Sequence, residues 1–250
     1  MNNQRNLFPK VDITGERSIR FSFGNHISKE IHTSVRHFCE LIEKEFQASI
    51  EEYVPSYHTV TVYVKNNYIM KEKFIINLLT SWEQQQSHSV SSKIRTLKVP
   101  VCYEEEFAFD MDRVMNYTGL SAREIIYLHS STTYTVFMIG FLPGFPYLGG
   151  LNEELSTPRL EKPRLKVSQG TVGIGGNQTG IYPLESPGGW NIIGRTPIEI
   201  YTPEQDEPFF IRAGDHLTFY SITTKEYKEW KANLEKHPES IKEILKNEPS

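Results

Sequence analysis

Glycine and proline are concentrated in one part of this chain, and that concentration limits the possible folds more than any other feature. The 250 residues include 16 glycines and 14 prolines, and twelve of the glycines and seven of the prolines lie between residues 140 and 197. Proline fixes φ and removes a backbone donor, whereas glycine permits positive φ. We therefore expect rigid turns between short strands in this segment, and two differently built halves in the chain.

The first half alternates strand and helix patterns. Period-two alternation or β-branched residues predict strands at residues 18–23, 59–64 and 94–101. Amphipathic helices are predicted from the N-cap Ser28 to Phe46 and over residues 71–86. This order favours a small α+β domain with a split βαβ, ferredoxin-like plan, which we assign to residues 1–92, with residues 87–92 as a polar linker.

The second half, residues 93–225, predicts an all-β domain, an antiparallel barrel or a sandwich. It opens with two short helices, near residues 111–117 and 122–128, and Ser121 with Glu124 forms a capping box for the second. The remaining tail, residues 226–250, is charged and weakly helical. Short strands are predicted at residues 133–139, 165–167, 172–174, 192–193, 198–201, 209–211 and 216–220.

Composition excludes several classes of protein. The formal net charge of −4 and the pI of about 6.1 leave no basic field for nucleic acid. Two cysteines are too few for a disulfide framework and indicate a reducing cytoplasm, and the N-terminus lacks the apolar core of a signal peptide. Residues 125–152 carry no Asp, Glu, Lys or Arg, but two prolines and four glycines interrupt them, so we expect a soluble protein without a membrane span.

The common catalytic motifs are absent from the sequence. It contains no phosphate-binding loop of the G-x-x-x-x-G-K-[ST] type, no G-x-S-x-G nucleophile elbow and no H-E-x-x-H zinc helix. His32, His37 and Cys39 resemble a metal set, but a spacing of five turns a helix by about 140°, so the two imidazoles diverge. We therefore predict no metal site.

The glycine- and proline-rich segment is the candidate binding site. Arg159 and Arg164 each follow a proline and Arg195 follows a glycine, so rigid backbone could present all three guanidinium groups to a carboxylate or phosphate. The alternative is that they form surface ion pairs on turns. The residues predicted to complete the ligand site are Pro143, Phe145, Tyr147, Gln178, Tyr182 and Trp190.

The same segment resembles a known family. The run GFLPGFPYLGGL, followed by TPR, PR and GTVGIGGNQTGIYPLESPGGWNIIGRTP, is similar to the allophanate-hydrolase-subunit-1-like family, and the resemblance extends from the strand at Ser18 to about Tyr220. It implies a small α/β domain followed by a cyclophilin-like β-barrel. Two stretches depart from the family pattern: Cys102-Tyr-Glu-Glu-Glu-Phe-Ala-Phe-Asp-Met, where the family reads close to CYGGEFGPDL, and Gln169, where it has a small residue.

The resemblance also implies a function. The family includes the B subunit of bacterial 5-oxoprolinase, which works with an A subunit, and with a C subunit that is a second cyclophilin-like protein, in the ATP-dependent opening of 5-oxoproline to glutamate. ATP would be bound with the partner subunits and would bring Mg²⁺ as its counter-ion. Two alternatives stay open: a Kip-type inhibitor of a sporulation histidine kinase, and a subunit related to allophanate hydrolase or urea carboxylase.

The implied reaction assigns roles to residues. Phosphorylating the oxygen of a lactam needs cations near the developing charge, and Arg159 and Arg164 are the candidate catalytic cations, with Arg195 as a further anion ligand. His129, at the end of a predicted helix, could transfer a proton near neutral pH, or it could be a charged residue that stabilises the helix dipole. Trp190 is expected at the mouth of the barrel, either as a wall for a ligand or as a buried plug.

Overall fold

The computed structural model describes residues 8–65, 68–85, 94–238 and 240–241. The chain divides into two compact units, residues 1–93 and 94–250. The linker predicted at residues 87–92 lies outside the described residues. Over the described part of the chain, no helix has the length and apolar character needed to cross a membrane.

In the residues that the structure describes, the first unit is a four-stranded sheet with two α-helices. The sheet order is β1-β2-β4-β3 and all neighbours are antiparallel. Since β2 and β3 both run opposite to β4, they are parallel to each other with β4 between them, as in a split βαβ unit. The elements are β1 Lys10–Ile13, β2 Ser18–Ser22, α1 Lys29–Leu41, β3 Ile50–Pro55, β4 Thr59–Val64 and α2 Tyr68–Gln85.

Aromatic rings fill the core of this unit. The Phe38 ring lies 4.9 Å from Phe21, 5.1 Å from Phe23 and 5.2 Å from Trp82, measured between centroids. Ser28 caps α1 as predicted, because its Oγ accepts a hydrogen bond from the Ile31 amide. The strand predicted at residues 94–101 does not belong to this sheet, since it pairs within the second unit.

The second unit contains a closed seven-stranded barrel in the order β10-β7-β6-β13-β5-β12-β9, and β8 and β11 form a separate two-stranded sheet. The barrel prediction is therefore confirmed. The strands are β5 Thr96–Cys102, β6 Thr133–Ile139, β7 Pro146–Gly149, β8 Arg164–Val167, β9 Thr171–Gly175, β10 Gln178–Ile181, β11 Ser186–Gly188, β12 Asn191–Arg195 and β13 His216–Ile222.

For this unit, the predictions of a wholly antiparallel barrel and of strands at residues 198–201 and 209–211 are wrong. The barrel is not wholly antiparallel, because β13 runs parallel to β5 over seven residue pairs. Residues 198–201 and 209–211 form no named strands and share a single bridge between Tyr201 and Phe209. The sequence did not predict β7, β10 or β11, because these strands contain proline or glycine, which are depleted in strands.

Within the described residues, three α-helices pack against the barrel: α3 Met111–Thr118, α4 Ala122–Ser131 and α5 Thr224–Lys236. The capping box of α4 forms as predicted between Ser121 and Glu124. Eleven residues of the predicted tail, 226–236, belong to α5, whose Tyr227 is buried against Phe107 with ring centroids 4.5 Å apart.

The residue pairing of β9 with β10 shows which side chains face the barrel core and which face outward. Ile174 pairs with Thr179 and Val172 with Ile181, and the three apolar members belong to the barrel core. Because side chains alternate along a strand, the intervening pair of Gly173 and Gly180 lies on the outer face. This part of the outer wall therefore carries no side chains, and that flat surface positions the candidate site.

Candidate functional site

Trp190 lies on the glycine-lined outer face of the barrel wall. A Cβ added to Gly175 would lie 2.5 Å from its Nε1, and a Cβ added to Gly180 would lie 3.1 Å from its Cζ3. Only glycine at these positions leaves room for the indole. The indole is 5% exposed. The predicted position at the barrel mouth is therefore wrong, because the outer wall, rather than the barrel end, offers the space that the ring fills.

Phe145 connects the aromatic residues of the predicted site. Its ring centroid lies 5.5 Å from Trp190, 5.4 Å from Tyr182 and 5.1 Å from Tyr147. Phe145, Tyr182 and Trp190 are buried, whereas Tyr147 is half-buried. The predicted aromatic set is thus brought together, but as a packed layer in which Tyr147 keeps some exposure.

Arg159 covers this layer from the solvent side. Its Cζ lies 5.7 Å from the Trp190 ring centroid, within the range of a cation–π contact. The residue is exposed, and no carboxylate among the described residues forms an ion pair with it. Burial raises the pKa of the Tyr147 hydroxyl, while the Arg159 charge acts in the opposite direction. Arg159 is therefore a cation held against an aromatic face and open to an anion.

Arg164 has a different environment. Its Nη2 donates a hydrogen bond of 2.6 Å to Oδ1 of Asp110, whose Oδ2 accepts one of 2.7 Å from the amide of Ile192. The Asp110 side chain is 8% exposed and that of Arg164 is 32% exposed. Nη1 of Arg164 is buried and meets no acceptor in the described part of the chain. Arg164 is thus held by a buried carboxylate that the sequence analysis missed.

The charges of Arg159 and Arg164 converge on one phenol. Burial raises the pKa of Tyr182, whereas a backbone hydrogen bond from Trp190 and both arginine charges lower it. The side chain of Tyr182 packs under Gly188, since a Cβ there would lie 2.3 Å from the hydroxyl. The structure therefore places two of the predicted arginines around the same buried tyrosine.

Asn191 is a second residue that the sequence analysis missed. It is fully buried, and its Nδ2 donates hydrogen bonds of 3.0 Å to the carbonyls of Pro158 and Ile174. Its Oδ1 accepts a bond of 2.9 Å from Nε of Arg113. A buried amide with this many partners fixes the backbone around it, and its position directly after Trp190 in the GGWN run was the available signal.

Three predicted ligand residues lie apart from the aromatic layer around Phe145 or at its edge. Arg195 donates through Nε to the carbonyl of Gln169 at 2.8 Å. Gln178 faces Gly175 across the β9–β10 pair. Pro143 is exposed in a tight loop where Gly144 has a φ of 80°.

His129 lies inside the barrel. It is fully buried, its Nδ1 is 2.7 Å from the Tyr103 hydroxyl and its Nε2 is 2.9 Å from Oγ1 of Thr179. Burial lowers its pKa to about 3, so the imidazole is neutral at pH 7. Both roles considered from the sequence need a charge on the ring near neutral pH, and the structure favours neither.

A separate cavity of about 820 Å³ lies between the loop of residues 197–212 and α5. None of the residues predicted for the site lines it. Within the described ranges, no three His, Cys, Asp or Glu side chains are grouped as a metal site. We therefore take the surface around Arg159 as the candidate site.

Known protein sequences resemble this chain over most of its length. The family model for the carboxyltransferase domain, subdomains C and D, matches residues 9–211. The 5-oxoprolinase B subunit of Bacillus subtilis (strain 168) is 32% identical in an alignment of 235 positions that covers 89% of this chain and 96% of that protein. The 5-oxoprolinase B subunit of Escherichia coli O157:H7 is 42% identical over 68% of this chain and 78% of that protein.

Solved structures give the same picture. The uncharacterized protein PH0987 from Pyrococcus horikoshii is 40% identical over 87% of this chain and its own full length, with a TM-score of 0.52. TTHA0988 is 30% identical with a TM-score of 0.72 over 83% of this chain, but the match spans only 40% of that longer protein. The urea amidolyase of K. lactis shares the fold, with a TM-score of 0.70 at 19% identity, over 18% of its length.

Proposed function

We propose that this chain, which belongs to the carboxyltransferase subdomain C and D family, is the B subunit of a 5-oxoprolinase. The observation that carries the proposal is the match to the Bacillus subtilis B subunit over 96% of that protein. The Escherichia coli relative supports it at higher identity over a shorter stretch. Such a protein works within a complex, so we further propose that the A and C subunits complete the enzyme in the cytoplasm.

The candidate site suits the implied chemistry. 5-Oxoproline carries a carboxylate and ATP carries phosphates, and both are oxyanions that a guanidinium fork binds well. Arg159 is exposed, stacked on Trp190 and free of a carboxylate partner among the described residues. Arg164, by contrast, is held by Asp110. We therefore assign direct anion binding to Arg159 and a supporting role to Arg164.

Neither the sequence motifs nor the described residues present a complete set of catalytic groups. The sequence has no phosphate-binding loop, and His129 is neutral and enclosed. We infer that ATP, with Mg²⁺ bound to its phosphates, is held chiefly by the partner subunits. The isolated chain is then expected to hydrolyse neither ATP nor 5-oxoproline, and 5-oxoproline-dependent ATP hydrolysis by the pure chain would contradict this.

The test is reconstitution. This chain, mixed with the A and C subunits, should hydrolyse ATP in the presence of 5-oxoproline, and omitting any one of the three proteins should abolish that activity. Arg159→Ala should reduce it by about tenfold or more, because a charge-assisted contact is lost. Arg123→Ala, at an exposed arginine of α4, is the matched control and should keep full activity. Absence of 5-oxoproline-dependent hydrolysis in the complete mixture would refute the proposal.

One alternative has support of its own. The urea amidolyase of Saccharomyces cerevisiae is 23% identical over the whole of this chain, although the match spans only 16% of that protein. If this chain served a urea-carboxylating enzyme, its mixture with the A and C subunits would show no 5-oxoproline-dependent ATP hydrolysis. The histidine-kinase inhibitor stays a prediction from the sequence.

A further inference from the structure

Residues 158–160 lie against residues 189–191 in antiparallel order, and each residue of the first segment contacts one residue of the second. The Pro158 carbonyl accepts from Nδ2 of Asn191 at 3.0 Å, and the Leu160 amide donates to the Gly189 carbonyl at 2.7 Å. Between them, the Arg159 guanidinium lies over the Trp190 ring. Hydrogen bonds to the backbone on both sides of Arg159 thus restrict the position of its Cα, and the indole restricts the position of its guanidinium group.

The side-chain amide of Asn191 is fixed by partners at both of its ends. The amide makes three hydrogen bonds: two donated by Nδ2, to Pro158 and Ile174, and one accepted by Oδ1, from Arg113. These partners allow one orientation of the amide, because its two ends differ in donor and acceptor character. The Asn191 side chain is fully buried, and its bond to Ile174 is shielded from solvent, whereas its partners Pro158 and Arg113 are exposed.

Pro158 makes that hold effective at Arg159. Its ring fixes its own φ, so fixing its carbonyl oxygen also fixes the peptide plane that leads into Arg159. An exposed arginine normally loses considerable side-chain entropy when it binds a ligand. An arginine already restricted by its backbone and by an aromatic face loses less, and it binds an anion more tightly for the same contacts.

We propose that Asn191 is a positioning residue that holds Arg159 over Trp190 as a preorganised receptor for an oxyanion. This rests on the proposed function for the identity of the anion, which is the carboxylate of 5-oxoproline or a phosphate of ATP. The two sources share the same chemistry, and the kinetic arms below separate them. The positioning itself is a property of the chain and is testable without any activity.

The first experiment measures the position of Arg159 by NMR on the isolated chain. In the wild type, side-chain protons of Arg159 should give nuclear Overhauser effects to the Trp190 indole and should be shifted upfield by its ring current; Arg159→Lys and Trp190→Phe assign the signals. Absence of these effects in the wild type overturns the proposal, whether or not any variant folds.

Two substitutions separate the contacts of Asn191. Asn191→Asp is isosteric and keeps the acceptor for Arg113, but it places an oxygen against the carbonyls of Pro158 and Ile174. Arg113→Ala removes the other contact and leaves both donated bonds. We expect Asn191→Asp to abolish the ring-current shift of Arg159 and Arg113→Ala to retain it. The opposite pattern would mean that Asn191 serves Arg113 and not the Arg159 loop.

The second experiment uses the reconstituted complex. Asn191→Asp should raise a KM by about tenfold with a smaller change in kcat, because it weakens binding of the anion rather than the chemistry. An increase confined to 5-oxoproline identifies its carboxylate as the ligand, and one confined to ATP identifies a phosphate. A fall in kcat with unchanged KM values for both substrates overturns the binding role.

A double-mutant cycle excludes a merely structural role. If Asn191 acts through Arg159, then Asn191→Asp should add less than about twofold to the loss already caused by Arg159→Ala. Independent effects would multiply and would overturn the proposal. If the complex shows no 5-oxoproline-dependent activity at all, the proposed function fails, while the NMR result still decides whether Asn191 positions Arg159.

Discussion

His129 and Thr179 are joined by a hydrogen bond of 2.9 Å between Nε2 and Oγ1 inside the barrel. Oγ1 of Thr179 also donates to the carbonyl of Gly173 at 3.0 Å, so its single proton is already used. Nε2 of His129 must then carry a proton and donate to Thr179, and Nδ1 must accept from the Tyr103 hydroxyl at 2.7 Å. The contacts thus specify one neutral tautomer.

This chain of hydrogen bonds explains how a histidine is accommodated in an apolar core. Its members come from α4, β9, β10 and the residue after β5, and Phe219 stacks on the imidazole with ring centroids 4.6 Å apart. Both ring nitrogens are satisfied without a charge, so burial carries no ionic penalty at neutral pH. His129 is therefore a structural residue that ties the barrel wall to a helix.

Lowering the pH should destabilise the second unit through His129. Its pKa is lowered by burial to about 3 in the folded chain, against an ordinary value of 6.5. Between these values the unfolded chain binds more protons, so the contribution is fully present above pH 6.5 and is lost as the pH falls toward 3. The expected loss is on the order of 3 kcal/mol between pH 7 and pH 4, measured by urea unfolding.

His129→Gln isolates this effect from the other titrating groups. Glutamine supplies a donor and an acceptor without titrating, but it lacks the ring that stacks on Phe219. The variant should therefore be the less stable protein at pH 7. The difference in unfolding free energy between the two proteins should shrink steadily as the pH falls. A difference that does not depend on pH would mean that His129 titrates normally in the folded chain.

Tyr103→Phe should cost about 1–3 kcal/mol of stability, because it leaves Nδ1 of His129 buried without a donor. Thr179→Val should cost a similar amount for the same reason at Nε2. Thermal or urea unfolding measures both. Tyr220→Phe, at an exposed tyrosine of β13, is the matched control and should change the stability by less than about 0.5 kcal/mol.

The sequence predicted those elements whose evidence is local. β4, β6 and β13 were found because side chains alternate between buried and exposed positions within each strand, and α1 and α4 were found because their caps are three residues from their partners. The parallel pairing of β5 with β13 joins residues about 120 positions apart. Its register depends on tertiary packing and leaves no periodic signal in either segment.

The same reasoning explains which parts of the site were found. Arg159, Arg164 and Trp190 lie within the glycine- and proline-rich segment, where rigid turns indicate a pocket. Asp110 acts on Arg164 from 54 residues away and Asn191 acts on Pro158 from 33 residues away. Nothing in the local sequence of Asp110 distinguishes it from a surface polar residue, and the position of Asn191 after Trp190 points to the site without indicating Pro158 as its partner. Only the folded chain identifies the two contacts.

Gly175→Ala should displace Trp190, because its new Cβ would lie 2.5 Å from Nε1 of the indole. We expect a loss of about 1–3 kcal/mol, typical of forcing an atom into a packed core. Combining it with Trp190→Ala should recover most of that loss, since the clashing ring is gone. A cycle in which the two losses simply add would mean that the indole does not lie on Gly175.

Trp190→Ala should cost about 3–5 kcal/mol, because the indole is a buried member of a four-ring layer. Of the two alternatives that the sequence left open for Trp190, burial favours the packed residue over an exposed wall whose removal would spare stability. Urea unfolding of the isolated chain measures the loss. A melting temperature close to that of the wild type would restore the exposed-wall interpretation.

Arg159→Ala and Arg164→Ala should differ although each residue directly follows a proline. Arg159 is exposed and lacks a carboxylate partner in the described residues, so its removal should change stability by less than about 0.5 kcal/mol. Removing Arg164 leaves the buried carboxylate of Asp110 with the Ile192 amide as its one remaining partner among the described residues, at a cost of about 1–3 kcal/mol. In Arg164→Ala, adding Asp110→Asn should recover part of this loss, because the uncompensated charge is removed. Unfolding free energies of the four proteins decide the matter, and equal losses for both arginine variants would refute this division of roles.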